Sequence, residues 1–333
     1  MRRLGERTLE FEQPPRIISS AAVVGRKEAQ GPLGQDMDQT FDDTRLGTET
    51  WEAAEARLQT EALGLAMDKA GIAAEEINLA FSGDLLNQNI SSTFGLRDFN
   101  IPFLGQYGAC STMAQTLLMA SVFVEAGGAN IAAAVTSSHF CSAERQFRMP
   151  LEHGGQRAPT AQWTATASGC ALVGNYGDIK IRHALAGKIV DYGVKDAANM
   201  GAAMAPAAAD SLYQFFTDTK TRPTDYDAIF TGDLGIVGSR LVNQLLLEEN
   251  IALGRLHKDC GLMIFDIEEQ DVKAGASGCG CSAAVLCGHI IKGLSKRTYR
   301  NVIFVATGAL MSSTSQQQGE SIPGIAHLIH LTV

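Results

Sequence analysis

The chain of 333 residues contains the same series of short patterns twice, in the same order. A Phe-[Ser/Thr]-Gly-Asp-Leu string begins at Phe81 and again at Phe230, 149 positions later. A small residue followed by Cys-Ser occurs at Cys110 and at Cys281, 171 positions later. Internal repetition in matching order indicates a duplicated structural unit, so two related halves must pack together.

The strand-like runs that follow the two Cys-Ser turns support this duplication. They end at Thr136 and Thr307, which are also 171 positions apart. Each half fits the usual length of one folded unit. We predict an N-terminal half of residues 1–178, which carries Cys110, and a C-terminal half of residues 179–333.

Strands alternate with helices along each half. Apolar residues from Trp51 to Leu65 recur at helical spacing, and Gly71 can cap that helix. A buried strand is predicted at Ile77–Phe81, a short strand at Ile101–Leu104 and an apolar helix at Ser111–Ala126. This alternation predicts an α/β fold with mostly parallel sheets, one per half, around a shared layer of buried helices, in the order αβαβα.

Composition excludes several functional classes. The net charge of −9 is unsuited to a nucleic-acid groove, so no nucleic-acid partner is expected. No run of roughly 20 apolar residues predicts a membrane-spanning helix, and the basic N-terminus has no apolar stretch typical of a signal peptide. Seven scattered cysteines favour a reducing, intracellular compartment.

Cys110 lies in a Gly-Ala-Cys-Ser turn between a predicted strand and a predicted helix. The helix dipole and the free N–H groups of the first turn are expected to lower the pKa of a thiol there and could also hold an anion. A small buried cysteine that merely packs a tight turn is the alternative, and the segment alone leaves both interpretations open.

In the first half of a duplicated α/β chain, this turn resembles the nucleophile elbow of the thiolase superfamily, which includes thiolases and ketoacyl synthases. Longer strings resemble the stage V sporulation protein AD family of spore-forming bacteria. They include SGDLLNQN from Ser82, IPFLGQYGACST from Ile101, AERQFRMP from Ala143, MGAAMAPAAAD from Met200 and VATGALMS from Val305. The resemblance extends over the whole chain.

The resemblance implies a thiolase-like fold and a role in sporulation. It implies binding of dipicolinic acid (pyridine-2,6-dicarboxylate), free or as its calcium chelate, and loading of this compound into the developing spore. It also implies protein partners in a spore membrane uptake complex and peripheral association with the spore inner membrane through those partners. It is compatible with a homodimer. No cofactor is implied.

Condensing enzymes of the superfamily need more than the cysteine. Their second half supplies a histidine and a further His or Asn for acid–base chemistry and an oxyanion hole. Here the first position falls near Asp233 and the second near Cys279, and neither is an imidazole or an amide. We therefore expect a binding protein rather than an enzyme. The alternative is a Cys-dependent acyltransferase or condensing enzyme of the ketoacyl synthase type.

Other polar residues complete the expected ligand site beside Cys110. Ser137, Ser138 and His139 follow a strand end, where ligands of α/β folds usually bind. Asp84 follows another strand end, where its carboxylate could cap a loop, and Asn87 lies just beyond it. The candidate ligand-binding residues are Cys110, Ser137, Ser138, His139, Asp84, Asn87 and Arg148.

A cation and a cluster of possible metal ligands also bear on this site. Arg148 is the candidate cation for a carboxylate ligand, because guanidinium binds carboxylate in a bidentate manner; a solvated surface position is its alternative. Cys279, Cys281, Cys287 and His289 do not have the spacing of a standard zinc site, so no metal site is expected.

Overall fold

The structure is a computed structural model that describes residues 1–147 and 156–333. The strands are β1 Arg2–Leu4, β2 Thr8–Glu10, β3 Arg16–Gly25, β4 Gln39–Phe41, β5 Leu79–Gly83, β6 Phe103–Gly105, β7 Ile131–Ser138, β8 Trp163–Thr164, β9 Ala167–Gly174, β10 Ile179–Leu185, β11 Ala228–Thr231, β12 His257–Asp259, β13 Ala276–Ser277, β14 Asn301–Ala309 and β15 Gly324–Thr332.

The helices follow the predicted alternation. They are α1 Arg26–Ala29, α2 Trp51–Ala70, α3 Ile90–Leu96, α4 Thr112–Glu125, α5 Phe140–Phe147, α6 Met200–Thr219, α7 Gly235–Glu248, α8 Cys260–Met263, α9 Cys279–Ala284, α10 Ile291–Ser295 and α11 Ser313–Gln317. A π-helical turn, Val285–Ile290, joins α9 to α10. None of the helices in the described residues is both long and apolar enough to cross a membrane.

Ten strands form one path in the order β12-β11-β14-β15-β10-β3-β9-β7-β5-β6. The path divides into two sets of five strands: β3, β5, β6, β7 and β9, and then β10, β11, β12, β14 and β15. Numbered in chain order and read inward from the outer edge, the strands of each set follow the same order: third, second, fourth, fifth, first. The pairings also recur: β5 and β11 each pair in parallel with two neighbours, while β9 and β15 each run antiparallel to both of theirs. The division near residue 178 remains a prediction.

Five layers result from helices covering these strands. α4 and α9 lie between the two sets of strands and contact both, whereas α2 covers the outer face of the first set and α6 that of the second. This is the predicted αβαβα arrangement, but the expectation of separate, mostly parallel sheets is wrong: β3 and β10 pair antiparallel and join the ten strands into one mixed sheet. Strands β7 and β9 are buried along their whole length because helices cover both faces.

Helix ends and small residues explain the close packing. Thr50 caps the start of α2 with a hydroxyl that accepts a hydrogen bond from the N–H of Ala53, and Gly71, with a φ of +66°, caps its end. A Cβ on Gly169 would lie 2.4 Å from the carbonyl oxygen of Ala283. The small residues of β9 therefore let the buried helix α9 approach the strand directly.

Candidate ligand-binding site

The turn that carries Cys110 is held by hydrogen bonds within itself. The Ser111 hydroxyl donates to the carbonyl of Gly108 at 2.6 Å, and the Thr112 hydroxyl donates to the carbonyl of Ala109 at 2.6 Å. Ala109 has a φ of +50°, in the left-handed region that costs a non-glycine residue roughly 1–3 kcal/mol. The bonds around it hold this strained conformation and fix the direction of the Cys110 side chain.

The second half supports the turn from behind. Gly308 lies in β14, and a Cβ there would be 2.4 Å from the carbonyl oxygen of Gly108 and 3.2 Å from the backbone nitrogen of Cys110. Only a glycine lets the strand backbone come this close. The geometry of the turn therefore depends on the neighbouring half.

Cys110 lines a narrow cavity of about 40 Å³ between the two halves. The cavity reaches the surface beside Tyr107, whose side chain is 46% exposed. Its lining residues come from the turn, α5, β8, β13 and the ends of α6 and β14: Leu85, Tyr107, Ala109, Cys110, Ala143, Glu144, Phe147, Thr164, Met200, Ser277, Ala309 and Met311. The space holds a few water molecules, and its walls are mainly apolar.

The Cys110 thiol is neutral rather than activated. Burial raises its pKa well above the usual value, and the neighbouring carboxyl of Asp233 and thiol of Cys279 raise it further. The expectation that the helix start would lower this pKa is wrong. Removing the thiolate from water costs more than the helix dipole of α4 returns.

Asp233 is the ionisable group next to this thiol. Its carboxyl is fully buried and accepts hydrogen bonds from the Thr307 hydroxyl at 2.8 Å, the Gly278 N–H at 2.8 Å and the Cys110 thiol. Burial raises its pKa to about 7. The side chain that hydrogen-bonds to the Cys110 thiol is thus a carboxyl and not an imidazole.

The structure places the polar side chains at the end of β7 away from the Cys110 cavity. Ser137 donates to Glu55 at 3.1 Å and faces α2, while Ser138 donates to the carbonyl of Ala165 at 2.7 Å. Their hydroxyls satisfy buried groups on the two sides of the strand. Neither side chain lines the Cys110 cavity.

His139 also points away from this cavity. Its Nδ1 accepts the N–H of Cys141 at 3.1 Å, so Nε2 carries the proton and donates to the carbonyl of Thr44 at 2.7 Å. Burial lowers its pKa, which keeps the ring neutral. It lines a separate cleft with Phe140 and Trp163. His139 therefore lies outside the lining of the Cys110 cavity, and its contact with the ligand stays a prediction.

The remaining candidates also lie outside the cavity lining or beyond the described residues. The Asp84 carboxylate accepts from the N–H of Leu86 and from the N–H and hydroxyl of Ser92, so it holds its own loop. Asn87 lies in another surface depression, beside Arg145. Arg148 falls outside the described residues.

A family model described as stage V sporulation protein AD matches residues 5–332. A relative with this description, from Bacillus subtilis strain 168, is 45% identical over 328 residues, which cover 98% of this chain and 97% of the relative. The chain belongs to the stage V sporulation protein AD family. Membership in this family makes it a sporulation protein.

Solved structures similar to this family member are condensing enzymes and related proteins. 3-Oxoacyl-[acyl-carrier-protein] synthase III from Aquifex aeolicus VF5 is 12% identical with a TM-score of 0.56, covering 96% of this chain and all of that one. The tetronic acid condensing enzyme AbyA1 is 15% identical with a TM-score of 0.61, covering 96% and 100%. OleA of Xanthomonas campestris is 12% identical with a TM-score of 0.60, covering 98% and 99%. These matches establish the thiolase-like fold.

The sequence analysis predicted only Cys110 among the residues that line the cavity. Met200, Ser277, Ala309 and Met311 come from the second half and reach Cys110 only because the halves pack together. One signal was available: β14 is the counterpart of β7, whose end was predicted to lie at the pocket. Applied to both halves, the same rule would have indicated Ala309.

Proposed function

We propose that the chain binds dipicolinic acid, free or as its calcium chelate, without catalysis, and that it serves the uptake of this compound into the developing spore. The family assignment places the protein in sporulation. The observation that carries the proposal is the Cys110 cavity itself, which holds a neutral thiol in a turn that resembles the nucleophile elbow of the thiolase superfamily.

A binding role agrees with the electrostatics around Cys110. A thiol acts as a nucleophile only as thiolate, and burial opposes that form here. The side chain that hydrogen-bonds to it is the Asp233 carboxyl and not an imidazole, so no Cys–His pair is formed to take the thiol proton. Removing catalytic partners while keeping the cavity leaves a selective binding site.

The walls set conditions on the ligand. Dipicolinate is flat but larger than the space for a few waters, so the unbranched Met200 and Met311 side chains must change rotamer to admit it. No Lys or Arg lines the described part of the cavity. Calcium bound with the ligand, or Arg148 from outside the described residues, would supply the positive charge.

Calorimetric titration of the full chain with dipicolinate, with and without calcium, tests the proposal. Cys110→Leu fills the cavity and should abolish the binding heat, whereas Cys141→Ser alters a thiol outside it and should leave the heat unchanged. An absence of heat from the wild-type protein under both conditions would refute dipicolinate binding.

The acyltransferase alternative makes the opposite prediction. Incubation with acetyl-CoA should add an acyl group to Cys110, seen by intact-protein mass spectrometry and lost in Cys110→Ser. Because the thiol pKa is raised, we expect no such adduct at neutral pH. A stoichiometric adduct would overturn the non-catalytic role.

Partner proteins of the spore membrane uptake complex belong to the same proposal. We expect peripheral membrane association through them, so recovery in the membrane fraction should disappear when the membrane partners are deleted; persistence would contradict this.

A homodimer is also proposed, since edge strand β6 exposes Phe103 and Leu104, and sedimentation of the wild type against Leu104→Arg would test it.

A further inference from the structure

Asp233 lies behind the Cys110 thiol, outside the cavity lining, and is hydrogen-bonded to that thiol. Three elements converge on its buried carboxyl: β14 through the Thr307 hydroxyl, the turn before α9 through the Gly278 N–H, and the Cys110 turn through the thiol. The amide of Gln162 holds the backbone by donating to the Asp233 carbonyl at 2.6 Å. The carboxyl is therefore fixed in place and separated from the cavity by one side chain.

No positive charge faces this carboxyl among the described residues. From β12 the nearest charge is the second buried carboxyl, Asp259, which accepts from the Thr231 hydroxyl at 2.7 Å and from the N–H groups of Leu234 and Gly235 at 2.9 Å. The remaining titratable neighbours are thiols: Cys110, Cys260, Cys279 and Cys281.

The described residues at the cavity rim add no net positive charge near Asp233. Glu144 lines the cavity and is paired with Arg157 at 3.2 Å, so that arginine is balanced by an acid. An incoming dicarboxylate dianion thus approaches a buried carboxylate across a mainly apolar wall. Two like charges in such surroundings strongly disfavour each other, and protonation of the protein group relieves the conflict.

We propose that Asp233 takes up a proton when the site binds a free carboxylate dianion, so that ligand binding and protonation are coupled. The inference rests on the proposed function and names a regulation of the same site. Asp233 is poised for this role, because burial already raises its pKa to about 7 without ligand. A bound dianion raises that pKa further, since a second negative charge penalises the ionised form.

The direction of the pH effect follows by linkage. The liganded protein holds more protons than the free protein, so affinity for the dianion falls as pH rises above about 7, by up to about tenfold per pH unit. The proton neutralises one charge of the pair. The calcium chelate carries no net charge, and its binding should take up much less proton.

Calorimetric titration with dipicolinate at pH 7 and pH 8, each in two buffers of different ionisation enthalpy, measures the protons taken up. The wild-type chain should take up about half a proton per ligand at pH 7 and more at pH 8, because Asp233 is about half ionised near pH 7 and mostly ionised at pH 8. Asp233→Asn, a nearly isosteric and non-titrating change, should bind without proton uptake and with a pH-independent affinity. Asp98→Asn, the same change at an exposed position, should behave as wild type.

Each outcome bears on one statement. No heat from the wild type rejects the proposed function. Heat without proton uptake overturns the coupling and leaves the function standing. Proton uptake that persists in Asp233→Asn overturns the assignment to Asp233. If that variant fails to fold, the wild-type proton count at the two pH values still decides whether coupling exists.

Discussion

Replacing Gly308 with alanine would place a methyl group against the back of the Cys110 turn. Its Cβ would lie 2.4 Å from the Gly108 carbonyl oxygen and 3.0 Å from the Ser111 nitrogen, about 1 Å short of ordinary contact for the oxygen. At Gly308 strand β14 is paired with Ile325 of β15, so the turn must yield instead. Overpacking of this kind costs about 1–3 kcal/mol.

The thermal consequence can be worked out from chain length. Unfolding entropy of about 2.1 cal/mol/K per residue gives about 0.7 kcal/mol/K for this chain, so a loss of about 2 kcal/mol lowers Tm by about 3 °C. The displaced turn also moves Cys110 relative to the opposite wall. We therefore expect dipicolinate to bind at least about tenfold more weakly.

Gly64→Ala is the matched control. Gly64 lies in α2, has nothing within 4 Å of an added Cβ and is far from the turn in the fold. Alanine is favoured over glycine in a helix by about 1 kcal/mol, so this variant should melt about 1 °C higher and bind as wild type. Scanning calorimetry and titration on both variants provide the measurements. A Gly308→Ala protein with wild-type Tm and wild-type affinity would show that the close approach of β14 to the turn is not real.

Three further predictions concern single side chains. At Cys110, serine should weaken dipicolinate binding modestly, alanine more and leucine completely; equal loss in three folded variants, seen by titration calorimetry, would instead indicate covalent chemistry. Burial raises the pKa of Glu55, which contacts the Ser142 hydroxyl at 2.6 Å beneath α5, so urea unfolding should show Glu55→Ala destabilised by about 1–3 kcal/mol and Glu55→Gln by less. Burial lowers the pKa of His330 to about 3, so the unfolded state binds the extra proton and stability contributed by this residue is lost as pH falls below about 6.5. Relative to His330→Gln, the wild type should lose about 2 kcal/mol between pH 7 and pH 5 in urea titrations; a constant difference would contradict the assignment.

The sequence was sufficient for the architecture because the repeat and the periodicities act locally. The helix predicted at Ser111–Ala126 runs over Thr112–Glu125, and the strand expected before Thr136 runs over Ile131–Ser138. The Gly-x-Cys-Ser string between a strand and a helix likewise located the cavity, since chain direction changes sharply there. Such features depend on neighbours in the sequence.

The residues that line the cavity were harder to predict, because they come from segments that are far apart in the sequence. A strand end identifies an edge of a sheet but not the face to which each side chain points, and Ser137 and Ser138 point to opposite helix layers. The helix start is visible beside Cys110, but its burial depends on Asp233 and Cys279 from the second half. Long-range packing therefore decided both the lining and the pKa.

Strand β15 has a consequence for how the protein is made. It lies between β14 and β10, and its residues 324–332 are among the last of the described chain to leave the ribosome. Until then β14 and β10 each present an unpaired apolar edge, which invites association with other nascent chains. We expect the second half to complete its sheet only after residues 324–332 have left the ribosome, and newly made chains to be prone to aggregation until then.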